Sequence, residues 1–261
     1  MALFRLVPAH VARFLRACLT ALACSIGVPA FGQATTAPHW TYDGEHGPAR
    51  WGRLSSTYET CKLGTQQSPI DIRDATPAPL PAIEFAYKPS PLRIIDNGHT
   101  IQVTYAPGSY ITVGGARYEL LQFHFHHPSE EAVKGVRYPL VAHLVHKNAA
   151  GKLAVVAVLL TEGKAHPFIE TLWTNLPAEE GKESAPEGVA VDVARLLPSR
   201  RGYHTFTGSL TTPPCSEGVT WFVLKSLVPV SGAQIAAFAQ KFPHNARPVQ
   251  ALNGRAIQVT Q

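Results

Sequence analysis

The segment His124-Phe125-His126 has the residue types and spacing most suited to chemistry. It ends a run, Tyr118 to His126, rich in aromatic residues and predicted to be a β-strand. Side chains two apart on a strand share a face. Both imidazoles can therefore approach one ion while Phe125 faces the opposite side. A third histidine, His143, lies in a second strand-like run, Leu140 to His146. If the two strands pair, three nitrogens meet. Three histidines with a fourth position left open form a catalytic zinc site, and imidazole donors favour zinc over calcium or magnesium. His127 and His146 have the wrong parity and face away. Taken alone, an H-x-H pair is a weak signal, because most such pairs are surface or satisfied core residues.

Other short runs would supply the scaffold. Leu92 to Ile95, Thr100 to Tyr105, Tyr110 to Val113, Tyr203 to Leu210 and Val219 to Leu224 are predicted strands. Asn97-Gly98 marks a turn between the first two. Leu153 to Leu160 is almost wholly apolar, as a central strand buried on both faces would be. Phe168 to Leu176 and Val189 to Leu196 suit short helices or turns. Ser231 to Phe242 is the clearest helix: Ser231 can cap it, Ile235, Phe238 and Phe242 share a face, and Pro243 follows. There is no internal repeat. One sheet-dominated domain is expected over residues 39–261, after a small-residue linker at 33–38.

Residues 1–32 read as a secretory signal. Arg5, Arg13 and Arg16 precede an apolar run from Ala17 to Val28, too short to span a bilayer comfortably, and small residues lead up to Gln33. A retained anchor, or a lipid on Cys24, is the alternative. The formal charge of the chain is +5; without those three arginines about +2 remains, and no Lys/Arg run argues for nucleic acid. No other stretch is apolar enough to cross a membrane. The mature chain keeps Cys61 and Cys215. An exported protein favours a disulfide between them, two buried thiols being the alternative.

Four blocks extend this reading: Gln67-Ser68-Pro69-Ile70-Asp71-Ile72; Gln122-Phe123-His124-Phe125-His126 with Ser129-Glu130; His143-Leu144-Val145-His146; and Ser209-Leu210-Thr211-Thr212-Pro213-Pro214-Cys215. With His39-Trp40 and Asn245-Ala246-Arg247-Pro248 they resemble, in order and separation, the alpha-class carbonic anhydrases of exported bacterial type. The resemblance spans about residues 39–258. It implies a mixed, β-dominated fold: a large twisted, mostly antiparallel central sheet with short peripheral helices. It also implies a periplasmic enzyme, monomer or homodimer, that interconverts carbon dioxide and bicarbonate on Zn2+.

The resemblance implies roles residue by residue. His124, His126 and His143 would hold zinc. Thr211 would accept a hydrogen bond from the metal's hydroxide and donate its own proton to Glu130. Val145, Val155, Leu210, Val219 and Trp221 would form the dry wall for carbon dioxide, with Thr212 beside them. Tyr42, Asn97, Gln102 and Thr212 would hold a water chain leading to His99, the proton shuttle. Cys61 and Cys215 would tether the Thr211 loop. Gln122 would support His124, and the backbone carbonyl of Asn245 would support His126.

Two positions depart from the pattern. Many relatives carry Glu two residues before the third histidine, where it accepts that ring's other N–H. Here the residue is Val141, which accepts nothing. Glu131 replaces a histidine common in animal members. No acceptor for His143 is assigned: either another group, such as a backbone carbonyl or water, takes its N–H, or zinc is held more loosely. Looser zinc is favoured, so that Val141→Glu would slow zinc loss; with a substitute acceptor the new carboxylate would instead lower stability. Three rival readings remain at this point. A cupin-type oxygenase shares the H-x-H, Glu and later His, but the glycines of that motif are missing. A metal-free binding protein of the same fold and a different zinc hydrolase are the others.

Overall fold

The apolar run at 153–160 lies at the centre of the molecule. In the computed structural model, which describes residues 38–261, it forms the strand Leu153–Glu162, buried from Ala154 to Leu160. Ala154, Val156, Val158 and Leu160 face one hydrophobic cluster; Val155, Ala157 and Leu159 face another. That period of two is the geometry of a strand covered on both sides. The predicted signal and nearly all of the linker lie outside the described residues.

Among the described residues, thirteen strands form the main sheet. Its path runs Glu183–Ser184, Ile94–Asp96, Ile101–Thr104, Ala116–His126, Leu140–Lys147, Leu153–Glu162, Glu217–Leu224, Tyr203–Ser209, Gln258–Thr260 and Thr76–Ala78. Most neighbours are antiparallel. Leu153–Glu162 runs parallel to Glu217–Leu224 and to Val228–Val230, and Gln258–Thr260 runs parallel to Thr76–Ala78. These last three strands pair over three residues each, and Pro77 or Pro229 interrupts two of them. Such segments carry no alternating pattern to read.

One face of the sheet is closed by two helices. Pro167–Thr174 begins on a proline and buries Phe168, Ile169 and Leu172. Gly232–Lys241 is held by a capping box: Gln234 N–H donates to Ser231 Oγ, and Ser231 N–H donates to Gln234 Oε1. Phe125 points to this side, its ring 5.2 Å from Trp173 and 6.1 Å from Phe238. Val189 to Leu196 resolves into the strand Ala190–Val191 and a 3-10 turn, Val193–Leu196, capped by Asp192.

The other face carries the histidines. The Ala116–His126 and Leu140–Lys147 strands pair antiparallel, with His143 opposite His124 and Val141 opposite His126. Val145 lies opposite Gln122 but His146 opposite Leu120, so Leu121 is an extra residue in a β-bulge. A small sheet of Asp71–Ile72, Ala132–Val133 and Val136–Arg137 lies apart from the main one.

Cys61 and Cys215 form a disulfide, their Cα atoms 4.9 Å apart across 154 positions of sequence. Both are buried beside Trp51 and Tyr58. Gln67 Nε2 donates to the Cys215 carbonyl at 3.1 Å and Arg247 Nη2 to the Cys61 carbonyl at 3.0 Å. Replacing both cysteines with serine is expected to lower the unfolding free energy by about 2–5 kcal/mol, since the crosslink restricts the unfolded chain. Guanidinium unfolding of oxidised wild type and the variant measures this, and equal midpoints would contradict it.

Candidate active site

The three rings converge as their strands dictate. Centroids lie 5.0 Å apart for His124 and His126, 5.5 Å for His124 and His143, and 4.7 Å for His126 and His143. One ring nitrogen from each lies within 4.8 Å of the others. Each ring is also held by its outer nitrogen. His124 Nδ1 is 2.9 Å from Gln122 Oε1, and His126 Nδ1 is 2.7 Å from the Asn245 carbonyl. His143 Nε2 is 3.0 and 3.1 Å from the two carboxylate oxygens of Glu131.

Every one of those partners is an oxygen with only lone pairs to offer. Each outer nitrogen therefore carries the proton and donates, and each inner nitrogen keeps a lone pair. His126 Nε2 is buried with no hydrogen-bond partner. A buried orphan acceptor between two other imidazole lone pairs is what a metal-ligand set looks like before the ion is considered. The residues fit a divalent ion that prefers nitrogen.

Residues 46–261 match the eukaryotic-type carbonic anhydrase family. The chain belongs to that family, the alpha class. It is 40% identical to the carbonic anhydrase of Nostoc sp. (strain PCC 7120 / SAG 25.82 / UTEX 2576) over 255 residues, 94% of this chain and 97% of that one. A hyperthermostable carbonic anhydrase from an active hydrothermal vent chimney shares 47% identity at a TM-score of 0.83, covering 85% of this chain and 100% of that one. The alpha-carbonic anhydrase from Thermovibrio ammonificans, solved with the inhibitor sulfanilamide, shares 43% at a TM-score of 0.82, covering 87% and 100%. The oxygenase and other-hydrolase readings fall with this match.

In this carbonic anhydrase, electrostatics keeps the first two rings neutral. Burial, then the nearby His143, lowers the pKa of His124 to about 3. His124 is half-buried and lines a cavity. Burial and both neighbouring histidines hold His126 well below its ordinary value. Burial opposes a charge on His143 too, but the negative charge and hydrogen bonds of Glu131, with Glu130 behind, outweigh it and raise that pKa.

Glu130 is fully buried beside the inner nitrogens. Its Oε2 lies 3.5 Å from His126 Nε2 and 3.8 Å from His143 Nδ1. With His126 neutral, the first contact is no ion pair. Burial pushes the Glu130 carboxyl up to about 7, against the pull of His143 and with a push from Glu131. The backbone N–H of Arg247 donates to Oε1 at 2.7 Å. The Thr211 hydroxyl also pulls this pKa down, yet it stops short of full hydrogen-bond geometry, leaving Oε2 without a complete partner.

A cavity of about 280 Å³ opens onto His124, His143, Thr211 and Thr212. Val145, Val155, Leu210 and Trp221 line it. Val219 does not: it is buried in the same cluster but lines a separate cavity beside Ala150 and Gly151. Leu121 and Leu153 line the histidine cavity unannounced. Leu121 turns toward it because the bulge breaks the strand's alternation, which no local pattern signals. Leu153 shares parity with Val155, a signal that was available.

Further out, the His99 ring stacks on Trp40, centroids 3.7 Å apart and planes 8° apart. Burial, then His39, lowers its pKa from the ordinary value. Asn97 Oδ1 accepts the N–H groups of His99 and Thr100 at 3.0 and 2.9 Å, so that atom builds the turn. Gln102 lies opposite His124 across the sheet and shares its face. Tyr42 packs between Trp40 and Trp51, and burial, then the charge of Glu130, pushes its pKa well above the usual value. His127 Nδ1 meets the Pro139 carbonyl, and His146 Nε2 meets Tyr87 on the other side of the sheet. Neither belongs to the cluster.

Of the two alternatives for His143, the structure has the substitute acceptor, not the favoured under-supported ring. Glu131, from a loop rather than the strand, occupies the place left by Val141. Residue spacing could not reveal this, because Glu131 and His143 meet only through tertiary packing. Val141 is itself fully buried against apolar neighbours. Val141→Glu would therefore bury a second carboxylate beside Glu131 with no proton donor left for it. The expected result is a loss of about 3 kcal/mol or more of unfolding free energy and no slowing of zinc loss. Thermal or chemical unfolding and a chelator assay measure the two; unchanged stability with slower zinc loss would restore the original expectation.

Proposed function

We propose that this enzyme is exported, binds one zinc ion through His124, His126 and His143, and hydrates carbon dioxide reversibly with His99 as proton shuttle. The observation carrying the reading is the convergence of three inward lone pairs, each fixed by an acceptor on the ring's far nitrogen. When bound, zinc supplies a Lewis acid that lowers the pKa of a coordinated water to about 7, a value known for carbonic anhydrases generally.

The chain's own residues supply the rest. The Thr211 hydroxyl, donating toward Glu130, turns only lone pairs to the reaction centre and so selects a nucleophile that still carries a proton. The Arg247 N–H holds Glu130 in place for this. Val145, Val155, Leu210 and Trp221 give apolar carbon dioxide a dry surface beside the histidines. Thr212, Gln102, Asn97 and Tyr42 would hold the water that carries a proton outward to His99. Burial, then His39, lowers the His99 pKa, which favours the neutral ring that would take up that proton. The disulfide supports export, since such bonds persist in oxidising compartments. No helix among the described residues is long and apolar enough to cross a membrane.

Metal analysis is expected to give one zinc per chain, retained by His127→Ala and lost by His143→Ala. Full zinc occupancy in the latter would refute the ligand set. Zinc-free wild type without hydration activity would favour a binding protein of the same fold.

His99→Ala is expected to slow net hydration in weak buffer while leaving isotope exchange between carbon dioxide and bicarbonate largely intact. Added imidazole should restore the rate. Equal loss in both assays would place His99 in the attack step instead.

A further inference from the structure

The third histidine takes its orientation from an element to which it does not belong. Glu131 is fully buried and reaches His143 Nε2 with both carboxylate oxygens, at 3.0 and 3.1 Å. It stands at the head of the Ala132–Val133 strand of the small sheet. A closed frame of hydrogen bonds holds it there. Ser129 Oγ donates to the Glu131 carbonyl at 2.7 Å, Tyr138 N–H donates to Ser129 Oγ at 2.9 Å, and Ser129 N–H donates to the Tyr138 carbonyl at 2.8 Å. Ala132 N–H then donates to the Ile70 carbonyl at 3.3 Å.

Other acceptors are absent from His143 Nε2 among the described residues. Val141, two places earlier on the same strand face, has none to offer. Glu130 keeps one oxygen on the Arg247 N–H and turns the other toward the inner nitrogens. His124 and His126, by contrast, lean on neutral amide oxygens. Among the described residues, the one carboxylate hydrogen-bonded to the outer nitrogen of a clustered ring is therefore Glu131.

We infer that Glu131 is a positioning residue for the metal site: it locks the tautomer and tilt of His143 and strengthens that ring as a donor. The frame of the small sheet, rather than the histidine's own strand, then sets how firmly the ion is held. The inference rests on the zinc reading above. A carboxylate that accepts the N–H of a ligating imidazole fixes the ring and raises its basicity, and its removal typically costs about 10–100-fold in metal affinity or activity.

The test compares zinc-loaded wild type, Glu131→Ala, Glu131→Gln and the double variant Glu131→Val with Val141→Glu. The readout is the rate of zinc loss to excess chelator, by metal analysis, beside the melting temperature of each metal-free protein. Glu131→Ala is expected to lose zinc about 10–100-fold faster. Glu131→Gln, which keeps an acceptor without the charge, should fall between it and wild type, and it carries the test if the alanine variant does not fold. The double variant places a carboxylate on the strand face of His143 without a rival charge, and should recover much of the retention. Wild-type loss rates in both single variants would overturn the inference. So would loss that follows the melting temperatures alone, with no recovery in the double variant. Wild type that takes up no zinc would defeat the metal reading itself, a different result from zinc that is bound but indifferent to Glu131.

Discussion

The site depends on one pairing: His143 faces His124 across an antiparallel ladder. Leu140–Lys147 is buried from Leu140 to His146, and the partner strand buries Leu120, Phe123, Phe125 and His126, so the register is pinned. Phe123, Phe125, Ala142 and Leu144 fill the core under the helices, while His124, His143 and Val145 face the cavity. A slip of one residue would send the aromatic rings into the cavity and the imidazoles into the core. Removing one such buried phenylalanine side chain costs about 3–5 kcal/mol, so moving several at once is prohibitive. Hydrophobic packing on one face thereby places the donors on the other.

A single buried arginine joins the remaining parts. Arg247 Nη1 donates to Gln67 Oε1 at 2.9 Å and to the Ser68 carbonyl at 2.8 Å, and Nη2 donates to the Cys61 carbonyl. Its backbone N–H holds Glu130. Burial lowers its pKa to about 10, against the pull of Glu130, so it remains charged at neutral pH. A charge so deep is tolerable only when well hydrogen-bonded, and its loss would leave several carbonyls without donors. Through it, the disulfide, the Gln67-Ser68 segment and the Glu130 carboxylate share one frame. The Gln67-Ser68 and Asn245-Arg247 blocks are visible in the sequence, but their function as a joint is not.

Adjacent glutamates divide two tasks because the chain turns between them. Glu130 faces the inner nitrogens and Thr211, while Glu131 faces the outer nitrogen of His143. Their mutual repulsion is one reason the Glu130 carboxyl rises. The same loop thus carries both the carboxylate that faces Thr211 and the one that holds His143.

The amino-acid sequence by itself determined what depends on local periodicity and capping. Strand parity separates His124 and His126 from His127, and His143 from His146; the apolar run marks the central strand, and Ser231 starts the last helix. Each follows from a fixed repeat or a cap within a few residues. Tertiary structure alone decided which group fills the far nitrogen of His143, which residue a bulge turns into the cavity, and that Val219 packs behind the wall instead of in it. Leu121 escaped because a bulge is a mismatch between two strands, invisible in either one. Glu131 escaped because a buried N–H takes whichever acceptor packing brings into hydrogen-bond reach, and that acceptor came from the loop leading into a separate small sheet. A repeat can be counted along one chain segment, whereas a partner is chosen only when distant segments meet.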